Sequence, residues 1–115
     1  MAGTNALRGE VLIANLRRSG GRLWKDRLVL VVQNDVGNKY SAETIVTAIR
    51  DAEGKRPLPV FVSVSAGTAG LEKDSVVDAA QILTVDKREL RHRIGTMPPG
   101  VMAAVDRALR ISLRL

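Results

Sequence analysis

Asp26-Arg27-Leu28-Val29-Leu30-Val31-Val32-Gln33-Asn34-Asp35-Val36-Gly37-Asn38 is the stretch from which the rest of the chain can be read. A single charge, Arg27, opens a run of aliphatic and β-branched residues. Leu28 to Val32 has the length and composition of a fully buried strand. Asn34 to Asn38 is polar and contains a glycine, which predicts the turn that ends the strand. An arginine at the mouth of a rigid strand is held where it could act on an anion, and phosphate chemistry is the hypothesis it raises. An ordinary surface arginine at a strand start fits the same pattern, so both readings stand at this point.

Outward from this strand, Glu10 to Leu16 reads as a first strand. Arg17 to Lys25 reads as a loop around Ser19-Gly20-Gly21, where paired glycines leave the backbone little restricted. The second strand runs from Arg27 to Gln33, and Glu43 to Arg50, rich in Thr, Ile and Val, makes a third. Asp51 to Pro57 is a polar turn, and Pro59 to Val64 makes a fourth strand with Val60, Val62 and Val64 on one face. Ala66 to Gly70 is a loop. Ser75 to Asp78 and Gln81 to Val85 are strand pieces that meet at two alanines, where a bulge is expected.

Asp86, with Glu89 three residues on, has the spacing of a capping box and predicts a short helix that Gly95 ends. The last helix is expected over Pro99 to Leu113, with Met102, Val105, Leu109 and Leu113 on one stripe. Asp106, Arg107, Arg110 and Arg114 face outward. Strands come first and helices last. The predicted fold class is therefore mainly β within α+β: a small antiparallel curled barrel or sheet with a short helix and a C-terminal amphipathic helix. One domain covers residues 1–115, with no repeat or linker.

The chain has 115 residues, 45% of them hydrophobic but only 3% aromatic, so aliphatic side chains must fill a small core. A homodimer interface would add to its stability. No cysteine is present, which removes disulfides, thiol catalysis and zinc–thiolate sites and suits a cytoplasmic location. The first ten residues lack the apolar core of a signal peptide. No apolar stretch approaches the ~20 residues that span a bilayer, so no membrane association is expected.

The formal net charge is +6 and the isoelectric point about 10.5, which favours a polyanionic partner. Between Val11 and Gln33 the bases are Arg17, Arg18, Arg22, Lys25 and Arg27, against the single acid Asp26. Lys55 and Arg56 form a second basic group in another loop.

His92 is the only histidine and lies between Arg91 and Arg93, where it reads as a surface residue. The carboxylates alternate with bases, as in Glu72-Lys73-Asp74, and read as solvated ion pairs. No metal site and no cofactor is expected, and the nucleotide-binding glycine pattern is absent. Metal-free chemistry on a phosphodiester remains. RNA carries its own nucleophile, the 2′-hydroxyl, and an arginine fork matches the phosphate oxygens. Arg17, Arg18, Arg22 and Lys25 could track the phosphate backbone. Trp24 could stack on an unpaired base, or anchor its loop against the barrel. Gln81 could read a base edge or satisfy a backbone group.

Arg8-Gly9-Glu10-Val11, Arg27 leading into Val31 to Ser41, Leu71 to Val77, Gln81 to Lys87 and Ile111-Ser112-Leu113 together resemble the MazF/PemK toxin family. The likeness spans nearly the whole chain. It implies a small β-barrel with a C-terminal helix, a homodimer, and metal-independent, sequence-specific cleavage of single-stranded RNA to a 2′,3′-cyclic phosphate. It also implies a cognate antitoxin with an acidic tail that occupies the RNA groove. By this resemblance Arg27 is catalytic, and Asn34 joins Arg22, Trp24, Lys25 and Gln81 in positioning RNA.

The chain also departs from the family pattern. The loop that commonly reads Gly-Ser-Glu-Gln is Gly20-Gly21-Arg22-Leu23-Trp24 here, and the usual Arg-Pro is Arg27-Leu28. The position of the family's catalytic threonine is Arg50, which is expected to act as a second phosphate ligand beside Arg27. Thr47 cannot replace it, since an odd offset along a strand points it to the opposite face. The fourth-strand histidine is Phe61, and the arginine after the Gln-Ile pair is Leu83. The leading expectation is an endoribonuclease toxin. The alternative is an impaired module that binds RNA or antitoxin without efficient cleavage. A gyrase poison on the same fold type fits less well, because that related family lacks the Gln-Asn-Asp-Val-Gly-Asn signature.

Overall fold

The computed structural model describes residues 5–20 and 26–115. Six strands form one antiparallel sheet in the order β4-β5-β3-β2-β1-β6. They are β1 (Glu10–Ala14), β2 (Arg27–Val31), β3 (Glu43–Asp51), β4 (Phe61–Val64), β5 (Ser75–Asp86) and β6 (Leu90–Thr96). Three helices accompany them: a single turn α1 (Arg17–Gly20), α2 (Asp35–Tyr40) and the long α3 (Pro99–Leu113).

The sheet is curled, with an apolar cluster on each face. Leu12, Val29, Val31, Val46 and Val85 pack together on one side. Val11, Leu30, Ile49 and Val77 pack on the other, against Val105 of α3. Period-2 alternation assigns these sides, since Val29 and Val31 point away from Leu28 and Leu30. The α3 stripe follows the expected pattern at Val105, which is fully buried, and at half-buried Met102 and Leu109; Ala108 is buried as well. Leu113 departs from it and is exposed, as is Ile111 in the same last turn.

The middle of the chain follows the predicted strands closely. The bulge is present as well. Glu43 to Thr47 pair with Asp86 to Ile82, and then Ala48 pairs with Asp78, so Ala79, Ala80 and Gln81 are looped out of register. β4 begins only at Phe61, and Val60 lies in the preceding turn.

The stretch from Arg17 expected as a loop opens with a single helical turn, α1 (Arg17–Gly20). Two further elements differ from expectation. Asn34 to Asn38 is not a bare turn: Asn34 caps α2, its side-chain oxygen accepting the Gly37 N–H at 2.8 Å. Buried Asn38 holds the helix in place. Its Nδ2 donates to the Gln33 carbonyl at 2.9 Å and to Asp35 Oδ1 at 3.1 Å. Its Oδ1 accepts from Gln33 Nε2 at 3.0 Å and from Thr44 Oγ1 at 2.6 Å. Tertiary hydrogen bonds thus stabilise a helix too short to stand alone.

The other difference lies just after Asp86. The capping box with Glu89 is present, but it closes only a 3-10 turn over Lys87–Glu89. The chain then continues as β6, pairing with β1. His92 is therefore on a strand rather than a helix, and exposed.

The Thr68–Gly70 turn closes the curl against β6. A Cβ on Gly95 would lie 2.3 Å from the Ala69 carbonyl oxygen, and one on Gly70 would lie 2.3 Å from the Ile94 carbonyl oxygen. Two glycines permit this backbone-to-backbone contact.

Candidate functional site

Leu28 pairs with Ile13 of β1 and with Ile49 of β3, so an apolar row crosses three strands near one end of the sheet. The β2–β3 ladder ends at Leu28 and Ile49, and continuing its register by one step sets Arg27 of β2 against Arg50 of β3. Directly opposite residues of an antiparallel pair share a face, so the two side chains leave the sheet on the same side. Both residues line a cleft of about 450 Å³ whose walls include Ile13, Leu28, Ile49, Leu71 and Ile94. A shallower extension of about 380 Å³ adds Lys55 of the β3–β4 loop.

Arg27 is half-buried and has no ion-pair partner among the described residues, and neither has Lys55. Arg50 donates from Nη1 to Asp78 Oδ2 at 3.3 Å. Lys73, also on the cleft, lies 3.7 Å from Asp51. The Glu53 backbone N–H, and then Lys73, hold the Asp51 carboxyl below the usual carboxylate range. Asp26, Asp51 and Glu72 also line the cleft, so its charge is mixed, and an Arg27 outside any ion pair beside apolar residues suits a ligand that offers both a phosphate and a base.

Asp26 sets the start of β2. Its φ of +50° lies in the left-handed region, which aspartate tolerates better than most residues. Asn15 Nδ2 donates to its carboxylate at 3.3 Å. Asp26, directly before Arg27, is therefore both strained and tied to Asn15 just beyond the end of β1, at the rim of the cleft.

Of the residues singled out from sequence, the structure brings Arg27, Arg50 and Lys55 together. Arg18 is exposed on α1, and the Arg17 side chain is not among those described. Arg22, Trp24 and Lys25 lie outside the described residues. Asn34 is exposed, with its side-chain oxygen engaged as the α2 cap. Arg56 is exposed beyond the cleft, and Gln81 is exposed within the bulge. Thr47 is fully buried on the other face from Arg50, its Oγ1 without a hydrogen-bond partner among the described residues, as the odd offset requires. Among those residues no group of three or more His, Cys, Asp or Glu side chains is placed to hold a metal ion. No described helix is long and apolar enough to cross a membrane.

Asp78 was missed by sequence reading. It sits in an apolar run, and its link to Arg50 depends on the bulge that resets the register beside it.

The family model for the PemK-like, MazF-like toxin of type II toxin–antitoxin systems matches residues 7–113. The chain is 42% identical to endoribonuclease EndoA of Bacillus subtilis over 109 residues, 94% of each protein. It is 40% identical to endoribonuclease MazF of Staphylococcus epidermidis over 109 residues, 94% of this chain and 91% of that one. Among solved structures, an endoribonuclease in complex with its cognate antitoxin from a mycobacterial species superposes with a TM-score of 0.81 at 26% identity, covering 96% of each chain.

Proposed function

The chain belongs to the PemK-like, MazF-like toxins of type II toxin–antitoxin systems, and we infer from that membership and from the Arg27 cleft how it acts. It is an endoribonuclease toxin, and an antitoxin is its protein partner. The cleft supports a finer reading of substrate and chemistry.

The substrate is single-stranded RNA, cut at a short sequence without a metal ion. The ribose 2′-hydroxyl attacks the adjacent phosphorus. A P–O2′ bond forms, the P–O5′ bond breaks, and the proton lost from the 2′-oxygen is matched by one gained on the leaving 5′-oxygen. The products are a 2′,3′-cyclic phosphate and a free 5′-hydroxyl. Arg27 stabilises charge on the non-bridging oxygens, where a fixed guanidinium acts most strongly in a partly desolvated cleft. Arg50 supplies a second cation to the same phosphate. Lys55 and Arg56 guide the chain on one side, and Arg17, Arg18, Arg22 and Lys25 on the other. Trp24 stacks on a base, while Asn34 and Gln81 contact RNA through polar groups.

The antitoxin presents an acidic tail to the same basic surface. The protein is a homodimer in the cytoplasm. The observation that supports the reading is that Arg27, in no ion pair with a described acid, lines one cleft with Arg50 and a set of apolar residues.

The test incubates purified protein with a long, unstructured RNA in excess chelator and maps every new end. Discrete cuts with cyclic-phosphate termini, lost in Arg27→Ala, are the expected result. RNA that stays intact while it shifts in a gel would overturn cleavage and leave binding alone.

A further inference from the structure

Asp78 is only 3% exposed, yet it does not line the cleft. It pairs with Ala48 on β3, which puts it diagonal to Arg50 and on the same face; Val76 is directly opposite Arg50. Its Oδ1 accepts the Ala80 N–H at 2.9 Å, and its Oδ2 accepts from Arg50 Nη1 at 3.3 Å. The Ala80 amide is available because the bulge begins at this point and releases it from the β3 ladder. The carboxylate is thereby fixed on one oxygen by backbone and offers the other to a single guanidinium.

Arg50 is the link between this buried acid and the cleft. Its side chain is 38% exposed, and Nη1 is engaged by Asp78 while the rest of its fork of five donors has no described partner. A free arginine on the same cleft as Arg27 would be driven away by like-charge repulsion and by its own rotamer freedom. Asp78 opposes both.

We propose that Asp78 is a positioning residue for RNA cleavage: it holds the Arg50 guanidinium beside Arg27, so that the two cations meet one phosphate. The inference rests on the reading of Arg50 as a phosphate ligand. Arg50 and Asp78 then form one functional unit in place of the threonine that the family resemblance leads one to expect. Asp78 touches no substrate and acts only through Arg50.

The test measures cleavage kinetics for the parent, Arg50→Ala, Asp78→Asn, Asp78→Glu and the Arg50→Ala/Asp78→Asn double variant. Removal of Arg50 lowers kcat by about 10²-fold, and Asp78→Asn lowers it about tenfold or more with little change in KM. Asp78→Glu recovers part of the loss. The double variant is no slower than Arg50→Ala, because the acid has nothing left to position. Guanidinium chloride at a low, non-denaturing concentration accelerates Arg50→Ala but not the double variant.

This last comparison holds even if Asp78→Asn alone folds poorly, since the double variant buries no unpaired charge. Parental kcat in folded Asp78→Asn, multiplicative losses in the double variant, or equal guanidinium rescue in both would each overturn the proposal. A parent that leaves RNA intact, or an Arg27→Ala variant as fast as the parent, would instead overturn the ribonuclease reading on which the proposal rests.

Discussion

Arg8 and Asp106 are 98 positions apart and joined by an ion pair, which fastens the segment before β1 to the last helix. The same arginine donates from Nε to the Val32 carbonyl at 2.9 Å, and its backbone N–H donates to Asp35 Oδ1 at 2.7 Å. Arg8 therefore gathers the end of β2, the start of α2 and the middle of α3. Both partners of the ion pair are about one-third exposed. Asp106→Asn should cost less than about 1 kcal/mol, as partly exposed pairs do. Arg8→Ala also frees the Val32 carbonyl and should cost about 1–2 kcal/mol. Urea unfolding of the two variants checks the order.

Asn38 should be among the least replaceable side chains outside the cleft. Asn38→Ala strands Thr44 Oγ1 and the Gln33 carbonyl and leaves Gln33 Nε2 with only the Glu43 carbonyl, at 3.2 Å. A loss of about 2–4 kcal/mol is expected. Measured by chemical denaturation, a loss below about 1 kcal/mol would mean that water replaces the side chain at little cost.

Arg27→Ala should lower kcat for RNA cleavage by about 10²–10³-fold while leaving the melting temperature nearly unchanged, since no described acid depends on this arginine. Arg27→Lys should recover little, because a single ammonium does not reproduce the fork. Rates across a salt series separate the catalytic loss from a general weakening of RNA binding.

Acid should act on the turn at Asp86. The Arg88 side chain, and then the Arg88 backbone N–H, hold this carboxyl at about 2, against an ordinary value of 3.8. A depressed folded pKa contributes stability that is fully present above 3.8 and is lost as pH falls toward about 2. The fall in thermal stability across that window should be shallower in Asp86→Asn, which keeps a capping oxygen without the charge. Equal slopes in the two proteins would exclude this group as a source of the dependence.

Gly95→Ala should open the seam between the Thr68–Gly70 turn and β6. The new methyl would meet the Ala69 carbonyl oxygen at 2.3 Å, and only backbone movement can relieve that contact. A cost of about 1–3 kcal/mol is expected. Hydrogen exchange should rise first along β6 and the turn, and faster exchange confined to other strands would contradict the assignment of the seam.

Much of the fold was legible in the sequence, for physical reasons that differ by element. α3 carries its own boundaries, with Pro98-Pro99 at the start and an apolar stripe behind it, and it runs from Pro99 to Leu113 as expected. β2 and β3 declare themselves by composition. α2 was hidden because its six residues include a glycine and an asparagine, and what holds it lies in Gln33 and Thr44. β6 was hidden because Arg91, His92 and Arg93 are all exposed, so no alternation marks it as a strand. In the cleft, Arg27 and Arg50 could be named from the family likeness. Asp78 could not, since nothing local in Val76-Val77-Asp78-Ala79 tells which neighbour on the next strand will face the acid.

The register break in β5 has a consequence for how this protein can change. Asp78 and Ile82 are four positions apart, an even interval that an unbroken strand would point to the same side. Their partners Ala48 and Thr47 are adjacent and point to opposite sides. The three intervening residues thus invert the parity of the chain, much as a frameshift resets the reading of a message. The first half of β5 carries Asp78 to Arg50, and the second half pairs with the stretch of β3 whose Thr44 bonds Asn38, each in its own phase. Substitutions can accumulate in either half independently, and removing one residue between them would leave an odd interval that plain alternation already points to opposite sides, so both halves would keep their faces without the inversion.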